Sequence, residues 1–370
     1  MPRQPLLHSL PDFPWDTLTE ARRTAEQHPD GIINLSIGTP VDEVAPGLQL
    51  ALSEAAAEPG YPATSGTLEL REALAESLAR RYGISGVAES AILPVIGTKE
   101  AIAWLPTLLG LGAGDTVVIP ELAYPTYEVG ALLAGCQVRR TDALFNLGPE
   151  TPSLVFINSP SNPTGKVLGI DHLRKVVEFA RERDVIIASD ECYLGLGWND
   201  EEHPPISILD PRVCEGDHRN LLAIHSFSKT SNLAGYRSGF LAGDHDLIRE
   251  LLEVRKHAGL MMPTPVQHAT RAAAEDDAQE QLQKLRYAER RAQLLPALIK
   301  AGFRVDDSDA GLYLWSTRHE DCWDTVNWLA QRGILVAPGA FYGPRGKQHV
   351  RIALTGTDNA IAEAVQRLQS

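Results

Sequence analysis

Residues 221–237 read LLAIHSFSKTSNLAGYR, and they join an apolar run to a lysine beside two serines. The run Leu221–Ile224 predicts a short buried strand, which places Ser226, Ser228 and Lys229 just past its carboxyl end. Open α/β sheets bind their ligands at that edge. A Ser- and Lys-rich segment after a strand is also typical of a plain polar turn, so this stretch alone leaves both interpretations open.

The side chains of this stretch match the two needs of one cofactor. Lys229 can form a Schiff base with an aldehyde. The hydroxyls of Ser226 and Ser228 and the guanidinium of Arg237 suit a phosphate dianion. Pyridoxal 5′-phosphate carries both an aldehyde and a phosphate, and it is therefore the predicted cofactor.

Two other strand-like runs end in polar side chains that would serve the remaining groups of that cofactor. Asp190 follows the apolar run 185–188, and a carboxylate there would keep a pyridine nitrogen protonated. Asn162 follows the run 154–157, and its amide, together with the phenol of Tyr193, would hydrogen-bond a phenolate oxygen. An aspartate at a strand end is also typical of a helix cap, and Asn-Pro is typical of a turn.

Two further loops offer a phosphate contact and an aromatic ring. Thr98 and Lys99 begin a helical pattern whose free backbone N–H groups would point toward a phosphate. Tyr124 follows the strand-like run 116–119 and would stack on the pyridine face, although Tyr127 is also available. The plain alternatives are a capped helix start and a core tyrosine.

The order of these motifs resembles the class I/II aminotransferases, the aspartate-aminotransferase-like branch of the fold-type-I pyridoxal-phosphate enzymes. The resemblance runs nearly end to end, from NLSIGTP at 34–40 through YPATSG at 61–66 to VRIAL at 350–354. It implies that Lys229 is the Schiff-base lysine and that Asp190 and Tyr193 complete the catalytic set. The cofactor-binding residues that it implies are Tyr61 from the neighbouring subunit, Thr98, Lys99 through its backbone, Tyr124, Asn162, Asp190, Tyr193, Ser226, Ser228, Lys229 and Arg237.

The resemblance also implies how substrates bind. Arg351 would hold the α-carboxylate through two parallel hydrogen bonds, assisted by the backbone N–H of Gly38 and by Asn162. A surface arginine on an edge strand is the plain alternative for Arg351. Lys229, with a pKa lowered by burial and by Arg237, would move a proton from the substrate α-carbon. The implied partners are amino acids, 2-oxo acids and a second copy of the chain, in a homodimer with shared active sites.

Composition argues against several other classes of protein. The chain has 370 residues, 44% hydrophobic and 22% charged, which suffices for a large core and more than one domain. A net charge of −14 opposes general binding to nucleic acid or to an anionic membrane. The four cysteines lack metal-site spacing, and residues 1–7 lack an apolar run of signal length. We therefore predict a cytoplasmic enzyme with no metal, no nucleic-acid partner and no membrane partner.

Short apolar runs alternate with helical segments, which predicts an α/β fold with a mostly parallel sheet covered by helices. The large pyridoxal-phosphate domain is predicted at residues 46–265, ending at the break MMPTP. Residues 1–45 and 266–370 are predicted to form a smaller α/β domain, because Gly38 and Arg351 lie together in the family. A helical stretch at 275–291 and a strand at 311–315 are predicted within it.

More narrowly, the chain resembles the actinobacterial type of N-succinyldiaminopimelate aminotransferase of lysine and cell-wall precursor biosynthesis. The motifs behind this are LPDFPWD at 10–16, SKTSNLAG at 228–235, RKHAG at 255–259 and APGAFYG at 337–343. Thr230 departs from the pattern, in which a basic residue follows the lysine. The resemblance implies glutamate as donor and an acceptor with a remote succinyl carboxylate.

A cation is expected to meet that succinyl carboxylate. The candidates are Arg345, Lys347, Lys256 and His257, which are equally typical of solvated surface charges. The alternative functions are an aspartate or broad-specificity aminotransferase and a pyridoxal-phosphate-dependent C–S β-lyase.

Overall fold

The computed structural model describes residues 5–199 and 202–369. Residues 1–4 and 370 of the predicted small domain, and residues 200 and 201 of the predicted large domain, lie outside the described residues. The strands are β1 (Ile33–Asn34), β2 (Ile92–Val95), β3 (Thr116–Ile119), β4 (Gln137–Arg140), β5 (Leu154–Asn158), β6 (Ile186–Asp190), β7 (Leu221–Ser226), β8 (Gly239–Gly243), β9 (Arg304–Asp306), β10 (Tyr313–Thr317), β11 (Ile334–Leu335), β12 (Ala337–Pro338) and β13 (Val350–Ala353).

The helices surround these strands, and most lie between successive strands in the chain. They are α1 (Thr19–Glu26), α2 (Pro46–Glu54), α3 (Leu68–Tyr82), α4 (Thr98–Leu108), α5 (Thr126–Ala134), α6 (Ile170–Arg183), α7 (Pro211–Cys214), α8 (Phe227–Thr230), α9 (His245–Ala258), α10 (Thr264–Glu275), α11 (Asp277–Lys300), α12 (Cys322–Ala330) and α13 (Asp358–Arg367). Side-chain caps fix several starts: the Thr67 hydroxyl accepts from Leu70 N at α3, and the Asp244 carboxylate accepts two backbone N–H groups at α9.

The larger sheet has seven strands within the described residues, in the order β2-β8-β7-β6-β5-β3-β4. All pairs are parallel except those of β8, which runs antiparallel to both β2 and β7. Every residue of β5 is buried, as expected of a strand with helices on both faces. This architecture confirms the predicted α/β fold class.

A second group of strands lies apart from the larger sheet. Four of them form an antiparallel sheet in the order β12-β13-β10-β9, and β1 pairs in parallel with β11. In this sheet Arg351 pairs with Trp315 on one side and with Ala337 on the other. Arg351 therefore lies on an inner strand, which excludes the edge-strand alternative.

The two predicted domains correspond to these two groups of strands, but their boundary stays a prediction. The helix α10 packs against α2 and α3, and its Ala273 and Ala274 share a hydrophobic core with Leu70. The predicted helical stretch at 275–291 lies mostly in α11, which begins at Asp277, and its first residue, Glu275, is the last residue of α10. On packing grounds, residues 266–275 therefore associate with the larger sheet.

Within the described residues, no helix combines the length and the apolar character that crossing a bilayer requires.

Candidate active site

The carboxyl ends of β5, β6 and β7 place the central polar side chains next to one another. Asn158 pairs with Asp190, and Asp190 pairs with Ile224, two residues before the end of β7. The segment after β7 forms the short helix α8, which begins with Ser226 as its cap and contains Lys229. Because β5, β6 and β7 are parallel, their carboxyl ends lie at the same sheet edge. Asn162, Asp190 and Lys229, which the sequence predicted to lie together, are at or just beyond those ends.

Lys229 is half-buried in the short helix α8 that follows β7. Its Nζ donates a hydrogen bond to the backbone oxygen of Gly38, and burial lowers the pKa of the amine below its ordinary value. The positive charges of Arg351 and Arg237 lower it further, whereas Tyr313 and Cys192 act in the opposite direction. A lysine with a lowered pKa has the neutral amine that nucleophilic attack and proton transfer need.

Asp190 is 5% exposed and is held by two donors. The hydroxyl of Tyr127 donates to Oδ2 at 2.6 Å, and the backbone N–H of Cys192 donates to Oδ1 at 3.2 Å. Burial raises the pKa of the carboxyl despite both hydrogen bonds. Such a buried carboxylate gains most from a cationic partner in contact with it.

Tyr127 is a residue whose role in the site the sequence did not reveal. It was considered as a stacking ring in place of Tyr124, but its ring stacks on Phe156 in the core and its hydroxyl orients Asp190. The Tyr124 ring meets Tyr127 edge-on at 5.7 Å between centroids, and burial raises its pKa to about 12. The sequence offered one signal for such a role: Tyr127 lies three residues, about one helical turn, after Tyr124.

The start of α4 and Arg237, which the sequence predicted to contact a phosphate, lie next to each other. Gly97 precedes Thr98 with a φ of 90°, and a Cβ on Gly97 would lie 2.7 Å from Cζ of Arg237. The guanidinium therefore occupies space that only a glycine leaves free. Nη1 of Arg237 donates to the Ala234 oxygen at 2.7 Å. Free N–H groups of the helix start and a guanidinium are thus brought together, as an anion site requires.

Two hydroxyls near Arg237 and the start of α4, those of Ser226 and Thr98, already accept hydrogen bonds from other residues. Ser226 Oγ accepts from the N–H of Ser228 at 3.1 Å, and Thr98 Oγ1 accepts from Cys192 Sγ at 3.5 Å. Lys99 is the second residue of α4, and its Nζ lies 5.5 Å from the ring centre of Phe13. The predicted phosphate contact through the backbone of Lys99 remains a prediction.

Tyr193 and Asn162 face the second group of strands. The hydroxyls of Tyr193 and Tyr313 lie 3.1 Å apart, and Asn162 Oδ1 accepts from Nη1 of Arg351 at 2.9 Å. Burial raises the pKa of Tyr193. At Tyr313 burial also opposes ionisation, but attraction by Arg351 and Lys229 outweighs it and lowers the pKa.

Arg351 is 3% exposed and is enclosed by aromatic rings. Its Cζ lies 3.9 Å from the ring centre of Tyr313 and 5.1 Å from that of Tyr342, and Nη2 donates to the Ser36 oxygen at 2.7 Å. Its Nε and the Tyr342 hydroxyl are buried without a hydrogen-bond partner in the described structure. Two unpaired donors at one place favour binding of an acceptor such as a carboxylate.

Tyr313, Tyr342 and Ser36 were not predicted as site residues. Tyr313 was identified only as part of a strand, and Tyr342 only as part of a motif. The close packing of Tyr313 on residue 38 explains why a glycine is needed there, since a Cβ on Gly38 would lie 2.7 Å from the Tyr313 Cζ. Gly38 was predicted to offer its N–H, whereas in the structure its oxygen accepts from Lys229.

Tyr61 does not join the buried cluster within a single chain, because it is 97% exposed. The candidate cations for a remote carboxylate are also peripheral. Arg345 lies 3.6 Å from Glu121, and Lys256 pairs with Glu253 at 2.5 Å. Lys347 and His257 are exposed.

The residues present fit pyridoxal 5′-phosphate. A buried amine, a buried carboxylate and a helix start with an adjoining guanidinium match the aldehyde, the pyridine nitrogen and the phosphate, respectively. Thr98, Ser226, Ser228 and Arg237 would hold the phosphate. When bound, the cofactor supplies an aldehyde carbon for amine exchange and a ring that accepts electrons.

Comparisons with known proteins agree with this chemistry. The family model described as "Aminotransferase class I and II" matches residues 30–368. The chain is 66% identical over 360 residues to a probable aminotransferase of Mycobacterium tuberculosis, covering 97% of this chain and 85% of that protein. It is 54% identical over 362 residues to the 4-dedimethylamino-4-oxo-anhydrotetracycline transaminase OxyQ of Streptomyces rimosus, covering 98% of this chain and 100% of that protein.

More distant relatives and solved structures extend the same similarity. An LL-diaminopimelate aminotransferase of Nitratidesulfovibrio vulgaris is 30% identical over 383 residues, covering 98% of this chain and 97% of that protein. The crystal structure of an aminotransferase from Neisseria meningitidis superposes with a TM-score of 0.88 at 32% identity, covering 98% of each chain.

Proposed function

Because this chain belongs to the class I and II aminotransferases and is therefore a transaminase that uses pyridoxal 5′-phosphate, we propose that it transfers an amino group between glutamate and N-succinyl-2-amino-6-oxopimelate. The products are 2-oxoglutarate and N-succinyl-LL-2,6-diaminopimelate. This reaction lies in lysine and cell-wall precursor biosynthesis.

In the proposed mechanism, Lys229 holds and moves the proton. Its buried amine has a lowered pKa, so Nζ takes the proton from the substrate α-carbon without first losing one to water. Asp190, oriented by Tyr127 and Cys192, stabilises positive charge on the bound pyridine nitrogen. Tyr193 and Asn162 donate hydrogen bonds to the phenolate oxygen.

Arg351 positions the substrate. Its Nη1 and Nη2 contact Asn162 and Ser36, which fix the plane of the guanidinium before substrate arrives. A planar guanidinium held in this way binds a carboxylate in one orientation, which directs the α-carbon toward Lys229.

The choice of acceptor rests on the position of Arg345. Arg345 is an exposed cation three residues after Tyr342, whose ring lies against the buried Arg351. One buried and one exposed guanidinium along a single segment suit a substrate with two carboxylates far apart. The Glu121 contact of Arg345 spans 3.6 Å, so little free energy opposes its exchange for a substrate carboxylate. The name of the Nitratidesulfovibrio relative, which contains diaminopimelate, supports the same substrate class.

The test compares acceptors with glutamate as donor. We expect a higher kcat/KM with N-succinyl-2-amino-6-oxopimelate than with oxaloacetate, and a faster reaction with oxaloacetate would favour an aspartate aminotransferase. Arg345→Gln should raise KM for the succinylated acceptor about tenfold and leave KM for glutamate unchanged. Arg249→Gln, which alters an exposed ion pair with Asp246 on α9, is the matched control. Release of pyruvate and ammonia from a sulfur amino acid would instead indicate a C–S β-lyase.

A second acceptor class is favoured by the 54% identity to OxyQ, whose name specifies a 4-oxo-anhydrotetracycline. A polycyclic ketone has no remote flexible carboxylate, so Arg345→Gln would not weaken its binding. Inclusion of such a ketone in the same assay separates the two proposals.

We further propose a cytoplasmic homodimer in which Tyr61 of each subunit reaches the phosphate site of the other. The exposed ring of Tyr61 supports this arrangement, because a tyrosine that serves its own site would be expected to be at least partly covered.

A further inference from the structure

A small polar cavity lies beside α8, with Phe227 and Thr230 of that helix in its lining. It is lined by Glu191, His225, Tyr82, Arg81 and Glu280, among others. It offers ≈ 20 Å³ to the centres of water-sized spheres. One water needs roughly 10–15 Å³ by this measure, so the cavity is large enough for a single molecule.

Two buried polar atoms at this cavity lack partners in the described structure. Oε2 of Glu191 and Nε2 of His225 make no hydrogen bond, and they lie 3.5 Å apart. This separation is too long for a good direct hydrogen bond. Glu191 is 2% exposed and His225 is 5% exposed, so bulk solvent does not satisfy either atom. Unpaired buried groups of this kind commonly mark an ordered water.

The walls of the cavity are held in place on both sides. The His225 ring stacks between Tyr82 at 6.2 Å and Phe240 at 5.0 Å. The Tyr82 hydroxyl donates to Glu280 at 3.0 Å, and Arg81 pairs with Glu280 at 2.7 Å. The imidazole therefore has little freedom to move toward Glu191, and the gap between the two atoms persists.

Glu191 also connects this cavity to the segment that carries Asp190. Its Oε1 accepts from the Ser189 hydroxyl and from the backbone N–H of Ile208, both at 2.8 Å. These bonds tie residues on both sides of Asp190 to a neighbouring loop. The Ser207 hydroxyl also interacts with the Glu191 carboxylate and partly offsets the rise in pKa that burial causes there, whereas Oε2 lacks a hydrogen-bond partner in the described structure and can accept from a further donor.

We propose that this cavity binds one water molecule, which bridges Glu191 Oε2 and His225 Nε2, and that the hydrated Glu191 is a positioning residue for Asp190. The water donates to Oε2 and completes its second bond at the imidazole nitrogen. Burial lowers the pKa of His225 to about 3, so the imidazole stays neutral, and burial raises the pKa of Glu191 to about 7. A water can hydrogen-bond Glu191 Oε2 whether the carboxyl is charged or neutral, because a water molecule can either donate or accept. The proposal goes beyond the reaction above and does not depend on which acceptor the enzyme uses.

A crystal structure of the holoenzyme tests the binding site directly. We expect one ordered water within about 2.6–3.2 Å of both Glu191 Oε2 and His225 Nε2. An empty cavity, or a direct bond between the two side chains, would overturn the proposal.

Two substitutions of Glu191 test its positioning role. Glu191→Gln keeps an oxygen for Ser189 and Ile208 and offers an amide to the water, whereas Glu191→Leu removes every polar contact. Titration of the cofactor-free proteins with pyridoxal 5′-phosphate should give a dissociation constant about tenfold higher for Glu191→Leu and within about twofold of wild type for Glu191→Gln. The pH midpoint of the visible absorbance change should move by about half a unit in Glu191→Leu only.

Unchanged cofactor affinity and an unchanged pH midpoint in folded Glu191→Leu would contradict the positioning role. If that variant does not fold, Ser189→Ala removes one bond to Glu191 Oε1 and leaves the carboxylate in place. A two- to fivefold rise in the same dissociation constant is then expected, at roughly the strength of one neutral hydrogen bond. No rise in Ser189→Ala would equally exclude the role.

Discussion

Desolvation determines the chemistry of the half-buried Lys229, because reduced contact with solvent disfavours its charged form and lowers its pKa. Lys229→Ala should abolish transamination and the visible absorbance of the bound cofactor, since no other amine occupies its place in α8. The far-UV circular dichroism spectrum should not change, because the short α8 is capped by Ser226 rather than by the lysine. Lys300→Ala, at the exposed end of α11, is the control and should retain both properties. Ordinary turnover by Lys229→Ala would refute the assignment.

The same buried amine should reduce the stability of the cofactor-free protein. The pKa of Lys229 in the folded state is lower than its ordinary value of 10.5, so the unfolded chain binds more protons in the interval between the two values. The destabilisation is therefore complete below the folded-state pKa and disappears as pH rises toward 10.5. Lys229→Met should raise the Tm of the cofactor-free protein, with a gain that shrinks as pH rises from the folded-state pKa toward 10.5. A gain that is constant with pH would show that the amine is not desolvated.

At the scale of an element, the start of α4 depends on one glycine. Gly97 has a positive φ, and any Cβ there would collide with Arg237. Gly97→Ala should raise the dissociation constant of pyridoxal 5′-phosphate at least tenfold, because Arg237 must leave the phosphate seat. Backbone strain contributes about 1 kcal/mol to the loss of stability.

Gly110→Ala is the matched control for that substitution. Gly110 follows the same helix and has a φ of 73°, but a Cβ there would meet nothing within 4 Å. Both variants should lose similar stability in urea unfolding, and only Gly97→Ala should lose cofactor affinity. Equal affinities in the two variants would show that the Arg237 contact does not matter.

The strands of the larger sheet were predictable because their residues are buried on both faces. Apolar runs at 116–119, 154–157, 185–188 and 221–224 predicted β3, β5, β6 and β7 to within a few residues. The antiparallel direction of β8 was not predicted, because an apolar run carries no information about which way a strand runs. Likewise, the ring of Tyr127 gave no sign that its hydroxyl binds Asp190, a contact between residues 63 positions apart.

For the whole molecule, the sequence predicted the family and the cofactor, and both are confirmed. The domain division and the roles of the site residues remain predictions. The aromatic enclosure of Arg351 by Tyr313 and Tyr342 could not have been inferred, because it depends on how the smaller sheet packs against residues 36–38. Local patterns specify elements, whereas contacts between distant segments follow from packing.

The proposed dimer can be tested by mixing two variants with different defects, at a cofactor concentration too low to saturate Tyr61→Ala. Tyr61→Ala should weaken cofactor binding and Lys229→Ala should eliminate turnover, each in its own homodimer. A hybrid dimer contains one site with Lys229 from the first variant and Tyr61 from the second, so mixing after mild dissociation should restore turnover. About a quarter of wild-type activity is the upper limit, because half the dimers are hybrid and each has one complete site. Turnover that does not rise on mixing would argue against shared sites.

The pairing of β1 with β11 has a consequence for biosynthesis. Leu35 donates its N–H to the oxygen of Leu335, a residue 300 positions later in the chain, and the adjacent Ser36 accepts from Arg351. At ribosomal rates of about 5–20 residues per second, the early segment waits on the order of 15–60 s for its partner to emerge. The backbone of residues 33–35 therefore lacks its β11 partner on the nascent polypeptide throughout that delay.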